Sequence, residues 1–291
     1  MSIKNATGQP LVPPPEQATS PADQPTVVYS LGPKGGIGKS TVGRLTTDGC
    51  IAAGRPVLIA QVDRTPTLPA LYSELTTTVA APSAEDLRAD PLASVRVFEP
   101  LEAMIEEIVK SNGVLVIDVG AGHNTNALLH FISRSRFDRH LAEKGIKVVA
   151  LAVTTADNSA MLQTAAMIDD LVQVHPSAEI VPVLNAYGGS FRFTATSPAN
   201  KTFSERIKPA LKGRRHLQLP AVAEGAWPLF ESAGMTFTEA VLATDEQLME
   251  RLGLSRAMAV AVQADVSDFL AHVWPRLGAI VGFDVEKKAH G

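Results

Sequence analysis

The sequence predicts an α/β fold of three layers, with a mostly parallel sheet between helices and a helical C-terminal part. Three observations carry this. From residue 26 onward, short runs rich in Val, Ile and Leu alternate with helix-length segments. The runs are nearly continuous in hydrophobicity, as strands covered on both faces are, rather than alternating with polar residues. From about Glu224 to Gly282 the chain turns to Ala, Leu, Met and Glu and offers no good strand.

The elements follow in order. Residues 1–25 carry Pro10, Pro13, Pro14, Pro15, Pro21 and Pro25 among Gln, Ser, Thr and Ala. Such a segment buries too little apolar surface to offset chain entropy, so it reads as a disordered, partly polyproline-like arm. Strands are expected at Val27–Leu31, Val57–Val62, Val95–Phe98, Val114–Val119, Val148–Val153, Ile180–Leu184 and, more weakly, Leu217–Leu219. Helices are expected at Val42 to Ala53, Leu101–Ser111, His123 to Arg139 and Asp157–Val174, the last with Met161, Ala165, Ile168 and Val172 on one face. The C-terminal helices should break near Gly234, Gly253 and Pro275 and pack on the same domain, because no linker composition precedes them. The expected organisation is therefore an arm at 1–25, one domain over 26–284 and a flexible tail at 285–291.

Composition bounds the function. With 291 residues, 45% of them hydrophobic and 19% charged, the chain can bury a substantial core. A formal charge of −4 gives no global basic field, so any nucleic-acid or membrane contact must be a local patch. Cys50 is the one cysteine, which fits a reducing compartment and a small packed side chain better than a reactive thiol. There is no apolar stretch of membrane-spanning length and no secretory leader, so the expected location is cytoplasmic.

The chemistry centres on Gly32-Pro33-Lys34-Gly35-Gly36-Ile37-Gly38-Lys39-Ser40-Thr41, set between the first predicted strand and a predicted helix. Glycines let the backbone wrap a polyphosphate and aim N–H groups at its oxygens. The helix N-terminus behind the loop adds partial positive charge. Lys39 would neutralise the β- and γ-phosphates, and the Ser40 hydroxyl would ligate Mg²⁺. A second feature is Val114 to Ile117 leading into Asp118 and the small turn Gly120-Ala121-Gly122. A carboxylate at the C-terminal end of a parallel strand lies where ligands bind and can hold a Mg²⁺ water. The alternative is that Asp118 caps the helix that follows.

The spacing Lys-Gly-Gly-x-Gly-Lys-Ser at residues 34–40 resembles the deviant Walker A box of the ParA/MinD family of P-loop NTPases, and the resemblance covers roughly residues 26–220. It implies a P-loop NTPase fold, ATP and Mg²⁺ as cofactors, and a homodimer in the ATP state that sandwiches two nucleotides. The candidate nucleotide contacts are Lys34, Gly35, Gly36, Ile37, Gly38, Lys39, Ser40 and Thr41, with Lys34 reaching the partner subunit's nucleotide. Ser40 and Asp118 are the candidate metal-side residues, and the latter resembles the family's Asp-x-x-x-Gly switch segment. Asp63 matches the second aspartate of the family's Asp-x-Asp-Pro pattern and would position the attacking water, which makes Lys34, Lys39 and Asp63 the candidate catalytic set. Gln61 replaces the first aspartate and removes a charge near the metal shell. Asn185, after the strand at 180–184, stands where the family reads the adenine edge; a plain turn asparagine is the other reading.

Two basic clusters could meet a partner: Arg134, Arg136, Arg139 and Lys144, and the run Lys201, Arg206, Lys208, Lys212, Arg214 and Arg215. Phosphate attraction needs only charge, so Lys208, Lys212, Arg214 and Arg215 are candidate contacts for DNA without sequence preference. A solvated surface is the alternative. The last twenty residues form no basic amphipathic helix, which argues against a membrane anchor. The implied activity is slow ATP hydrolysis timed by an unknown adaptor or activator, in a switch that positions or partitions a cargo such as plasmid DNA or a conjugation complex. The Val-Gly-Ala-Gly turn and a long helix over His123–Glu143 are similar to ParA-like ATPases of conjugative and mobilisable plasmids. A nucleotide-gated binding protein with negligible hydrolysis is the second reading, because of Gln61. A third is a metabolic P-loop enzyme: a reductase of the nitrogenase iron-protein type needs the paired cysteines that this chain lacks, and an ATP-dependent ligase needs a substrate site that the sequence does not show.

Overall fold

The computed structural model describes residues 24–63, 66–90 and 92–285. Apart from Gln24, Pro25 and Val285, the expected arm and tail lie outside these residues. The described chain runs β1 (Thr26–Leu31), α1 (Lys39–Ala52), β2 (Val57–Val62), β3 (Thr76–Val79), α2 (Ala84–Ala89), α3 (Ala93–Val97), α4 (Pro100–Ser111) and β4 (Val114–Val119). It continues through α5 (His123–Ser135), α6 (Phe137–Glu143), β5 (Lys147–Thr154), α7 (Asn158–Val174) and β6 (Glu179–Asn185). After β6, α8 (Pro198–Thr202) passes through a π turn at Phe203–Ile207 into α9 (Lys208–Leu211), then β7 (Leu217–Leu219). Four helices finish the chain: α10 (Ala226–Ser232), α11 (Phe237–Leu242), α12 (Asp245–Leu252) and α13 (Arg256–Val281).

The seven strands form one sheet in the order β3-β2-β4-β1-β5-β6-β7, every pair parallel. This is the three-layer α/β architecture that the alternating apolar runs predict. Side chains alternate between two cores because successive strand residues point to opposite faces. Val28, Val116, Val149 and Leu151 join α1 and the C-terminal helices through Val42, Phe230, Phe237, Val273 and Leu277. Val27, Tyr29, Leu31, Leu115 and Ile117 join α4 to α7 on the other face through Phe98, Ile105, Phe131, Leu141 and Ile168. The C-terminal helices thus close the sheet face that α1 leaves open. Cys50 is fully buried in that core, and burial pushes its thiol up to about 12, as a packed, inert residue requires.

Four expectations fail, each for an identifiable physical reason. Instead of a strand at Val95–Phe98 the chain forms α3 up to Val97 and caps it with Phe98; Ser94 and Phe98 are buried, and Phe98 stacks on Phe131. The edge position goes instead to β3, a Thr-Thr-Thr-Val strand whose threonines are β-branched but not apolar, as a half-exposed edge tolerates. The helix expected over His123 to Arg139, or to Glu143, is two helices. Arg136 turns left-handed between them at φ 56°, and the Ser135 hydroxyl donates to the Phe131 carbonyl, competing with the helical ladder. Pro275 does not break α13, because it lies on the exposed side while Val273, Trp274 and Leu277 are buried around it. In α7, Met161, Ala165 and Ile168 are buried as expected, but Val172 is 44% exposed because the last turn overhangs the cleft beside His175 and Gly213.

Candidate nucleotide site

Strand register assembles the site before any loop does. Gln61 pairs with Asp118 and Asp118 with Ser30, so β2, β4 and β1 present three polar side chains in one rank near their C-terminal ends. The loop from Gly32 to Gly38 then carries the chain from β1 into α1. Gly38 is left-handed at φ 94°, and a Cβ there would lie 2.2 Å from the Asn185 amide nitrogen, so no other residue fits. The Cβ positions of Gly35 and Gly36 meet nothing within 4 Å and leave the loop open to a ligand. Ile37 is buried and anchors the loop in the core, so only its backbone can meet a phosphate.

Lys39 and Ser40 open α1. The Lys39 ammonium donates to the Lys34 carbonyl at 2.9 Å, folded over the loop rather than extended. Burial lowers its pKa, opposed by the charges of Asp118 and Asp63. The Ser30 hydroxyl donates to the Lys39 carbonyl at 2.7 Å and fixes the start of the helix. Ser40 Oγ donates to Asp118 Oδ2 at 2.9 Å, and Gln61 Nε2 donates to the same oxygen at 3.2 Å. Asp118 is buried, which raises its pKa against the hydrogen bonds from Ser40 and Gln61 and the Lys39 charge. Its other oxygen, Oδ1, is buried without a hydrogen-bond partner. A buried carboxylate oxygen left in that state calls for a cation or an ordered water. Ser40 and Asp118, a hydroxyl and a carboxylate, are the hard oxygen donors that Mg²⁺ takes. The residues present therefore fit the ion.

Asp63 follows β2 and faces the Gly120 turn, where a Cβ would lie 2.5 Å from its Oδ2. The turn is tied back to its neighbours: Gly120 N–H donates to the Val62 carbonyl at 2.8 Å and Gly122 N–H to the Pro33 carbonyl at 3.0 Å. The switch-like turn, the Asp63 segment and the glycine loop are thus directly linked. Lys34 points away from Lys39 and pairs with Asp157 at 2.7 Å. Asn185 donates to the Ile37 carbonyl at 2.9 Å and accepts from Tyr187 N–H at 3.1 Å, so it buttresses the loop and caps a turn.

A cavity of about 720 Å³ opens beside the loop. Gly36, Gly38, Lys39, Ser40 and Thr41 line one end, with Asn185 and Tyr187 at its side. The opposite wall comes from residues that sequence reasoning missed, among them Leu219, Val222, Trp227, Phe237 and Phe269. Behind that wall, Arg44 lies over the Trp227 ring at 4.9 Å and pairs with Glu231 at 2.7 Å. Asp48, one turn further along α1, accepts from Tyr72 at 3.0 Å and from Phe237 N–H at 2.7 Å. Arg44 and Asp48, two charges four residues apart on one face of the predicted helix and both buried in the fold, were the available signal.

The basic run does not form one free surface. Arg215 grips Glu179 through Nε and Nη2, each at 2.5 Å, and donates to the Ala279 carbonyl at 2.8 Å, which makes it a strut between β6 and α13. Arg206 pairs with Asp169, and Arg214 bonds the Ala210 carbonyl. Lys208, above the Phe203 ring, and Lys212 are exposed. In the other cluster, Arg139 pairs with Glu143 and Lys144 with Glu106. Among the described residues no helix is long and apolar enough to cross a membrane.

No protein-family model matches this chain, and no curated protein sequence matches it. Solved structures do. The cell-division ATPase MinD of Pyrococcus furiosus is 19% identical, with 84% of this chain and 99% of that chain covered and a TM-score of 0.42. The septum site-determining protein MinD of Pyrococcus horikoshii OT3, solved with Mg-ADP, is 17% identical, with 84% and 95% covered and a TM-score of 0.39. The structural neighbours of this chain include MinD cell-division ATPases.

Proposed function

We propose that this protein is an ATP hydrolase of ParA/MinD type, a Mg²⁺-ATP-dependent dimer switch that positions or partitions a cargo such as plasmid DNA or a conjugation complex. The observation that carries the reading is the convergence of Lys39, Ser40 and Asp118 on an open glycine loop, with Asp63 beside the adjoining turn. The catalytic domain is assigned to residues 26–284. ATP would place its phosphates on the N–H groups of Gly35 to Thr41, and Lys39 would exchange the Lys34 carbonyl for phosphate oxygens. Asn185 keeps a second N–H and a second lone pair for the base edge. Asp63 would hold the water for in-line attack on the γ-phosphate, accepting its hydrogen bond. Bound through Ser40 and Asp118, Mg²⁺ would offset the charge of the transferring phosphoryl group. Lys34 from the partner subunit would add a further cation, and Lys208 and Lys212, both exposed, would be the cations that meet DNA.

The second reading is a nucleotide-gated binding protein with negligible hydrolysis, favoured by a neutral Gln61 where the resembling family has an aspartate. Phosphate release by the wild-type protein with ATP and Mg²⁺, against the Asp63→Ala protein, separates the two. Hydrolysis lost in Asp63→Ala with ATP still bound supports the switch. A wild type that binds ATP and releases no phosphate, alone or with a partner, supports the second reading.

A further inference from the structure

Gln61 is the residue at which this chain departs from the pattern it resembles, and its side chain is 2% exposed. Its amide makes three hydrogen bonds. Oε1 accepts from the Thr67 and Leu68 N–H groups, both at 2.9 Å, and Nε2 donates to Asp118 Oδ2 at 3.2 Å. Only one orientation of the amide serves all three. The flipped one would set NH₂ against two N–H groups and oxygen against a carboxylate. A carboxylate here could not donate to Asp118, and it would add a like charge beside a buried carboxylate. Gln61 therefore joins, by hydrogen bonds, the carboxylate beside Ser40 and the turn at Leu68–Ala70, which lies downstream of Asp63 on the same connection.

We propose that Gln61 is a positioning residue that couples the metal side of the site to the connection bearing Asp63. The inference rests on the nucleotide-site reading above. When Asp118 takes up its ligand, its Oδ2 changes partners or strength of bonding. The Gln61 amide carries that change to the Thr67 and Leu68 backbone, and so to the register of the Asp63 segment. The substitution of an amide for a carboxylate is thus a replacement of one charge by a rigid three-bond link. It is not simply a weakened metal shell, as the loss of charge alone suggests.

Two variants separate the ends of the link. Gln61→Met keeps the volume and removes all three bonds. Gln61→Glu keeps the acceptor for Thr67 and Leu68 and loses the donor to Asp118. Amide hydrogen exchange of the 66–71 segment is followed without nucleotide and with Mg²⁺-ATP, beside calorimetric ATP affinity and phosphate release. In the wild type, Mg²⁺-ATP should change protection at Thr67 and Leu68. In Gln61→Met these amides should exchange at least tenfold faster without nucleotide. In Gln61→Glu they should stay protected but no longer respond to Mg²⁺-ATP. Both variants should bind ATP in the presence of EDTA within threefold of wild type, and Gln61→Glu covers the case in which Gln61→Met fails to fold. Variants that hydrolyse and respond like wild type overturn the coupling and leave the nucleotide site standing. A wild type that fails to bind Mg²⁺-ATP overturns the nucleotide site, and the coupling with it.

Discussion

Asp157 holds Lys34 at 2.7 Å while the same carboxylate oxygen, Oδ1, accepts the Ala160 N–H at 2.8 Å as the N-cap of α7. One exposed carboxylate therefore starts a helix and parks the lysine that opens the glycine loop. The hydrogen bond from Lys34, then that from Ala160, lowers the Asp157 pKa. Both bonds are present at neutral pH and weaken as the pH falls through that lowered value. In the proposed dimer, Lys34 must leave this partner to reach across the interface.

The first prediction follows from that exchange. Asp157→Asn keeps a good N-cap and removes the charge that holds Lys34. ATP-dependent dimerisation should then occur at lower protein concentration, by at least threefold in sedimentation on an Asp63→Ala background. Lys34→Ala on the same background should bind ATP near normally and stay monomeric. A Lys34→Ala protein that still dimerises with ATP removes the main support for the sandwich.

Lys39→Ala deletes the buried ammonium while the glycine loop remains. ATP affinity should fall at least tenfold, about 1.4 kcal/mol. Gly38→Ala should be as severe, because the added methyl strikes the Asn185 amide at 2.2 Å and the φ of 94° is strained for any side chain. Calorimetry reads both, and unchanged affinity in Lys39→Ala sinks the phosphate-site assignment.

Asp48 yields a pH prediction independent of function. Burial pushes its carboxyl up to about 6, against hydrogen bonds from Phe237 and Tyr72 and the Arg44 charge. An unfolded aspartate titrates near about 3.9. Between those values the folded state binds the extra proton, so Asp48 costs stability as pH rises from about 4 to about 6. His175 is buried with a lowered pKa and acts in the opposite direction as pH falls below its unfolded value. The comparison is therefore urea unfolding of wild type against Asp48→Asn. The difference in stability between them should grow in favour of Asp48→Asn across that window, by on the order of 1 kcal/mol or more. A difference that does not vary with pH contradicts the assignment.

The DNA prediction shifts to the cations that are exposed. Lys208→Glu with Lys212→Glu should weaken DNA retention without altering ATP affinity. If each lysine neutralises a phosphate, replacement by alanine should reduce the slope of log K against log salt by about 0.9 per residue. Arg215→Ala should instead lower the melting temperature, since it releases Glu179 and the Ala279 carbonyl. Wild-type protein with ATP showing no retention at low salt rules out the surface.

Much of this protein was legible in one dimension because its signals are local. A parallel strand buried on both faces is a nearly continuous apolar run, and five of the seven strands were readable that way, with Leu217–Leu219 a weaker run split by an exposed Gln218. The glycine loop declares itself through its own backbone needs, and Asp118 through the strand that precedes it. The exceptions are places where neighbours distant in sequence outweigh local preference. Thr76–Val79 is a strand because β2 offers it an edge, and Ala93–Val97 is a helix whose cap residue, Phe98, packs on Phe131. Pro275 stays helical because the residues around it are buried. Side-chain partners lay further still from the sequence. Nothing near Arg215 predicts Ala279, nothing near Lys34 predicts Asp157, and nothing near Gln61 predicts Asp118, 57 residues away and beside it in the sheet. Sequence alone determined six of the seven strands and the glycine loop between β1 and α1, because backbone geometry and hydrophobic period act over a few residues. The tertiary structure alone decided which charges are struts, which are parked and which remain exposed, because hydrogen bonds and burial depend on what the folded chain brings within about 3 Å.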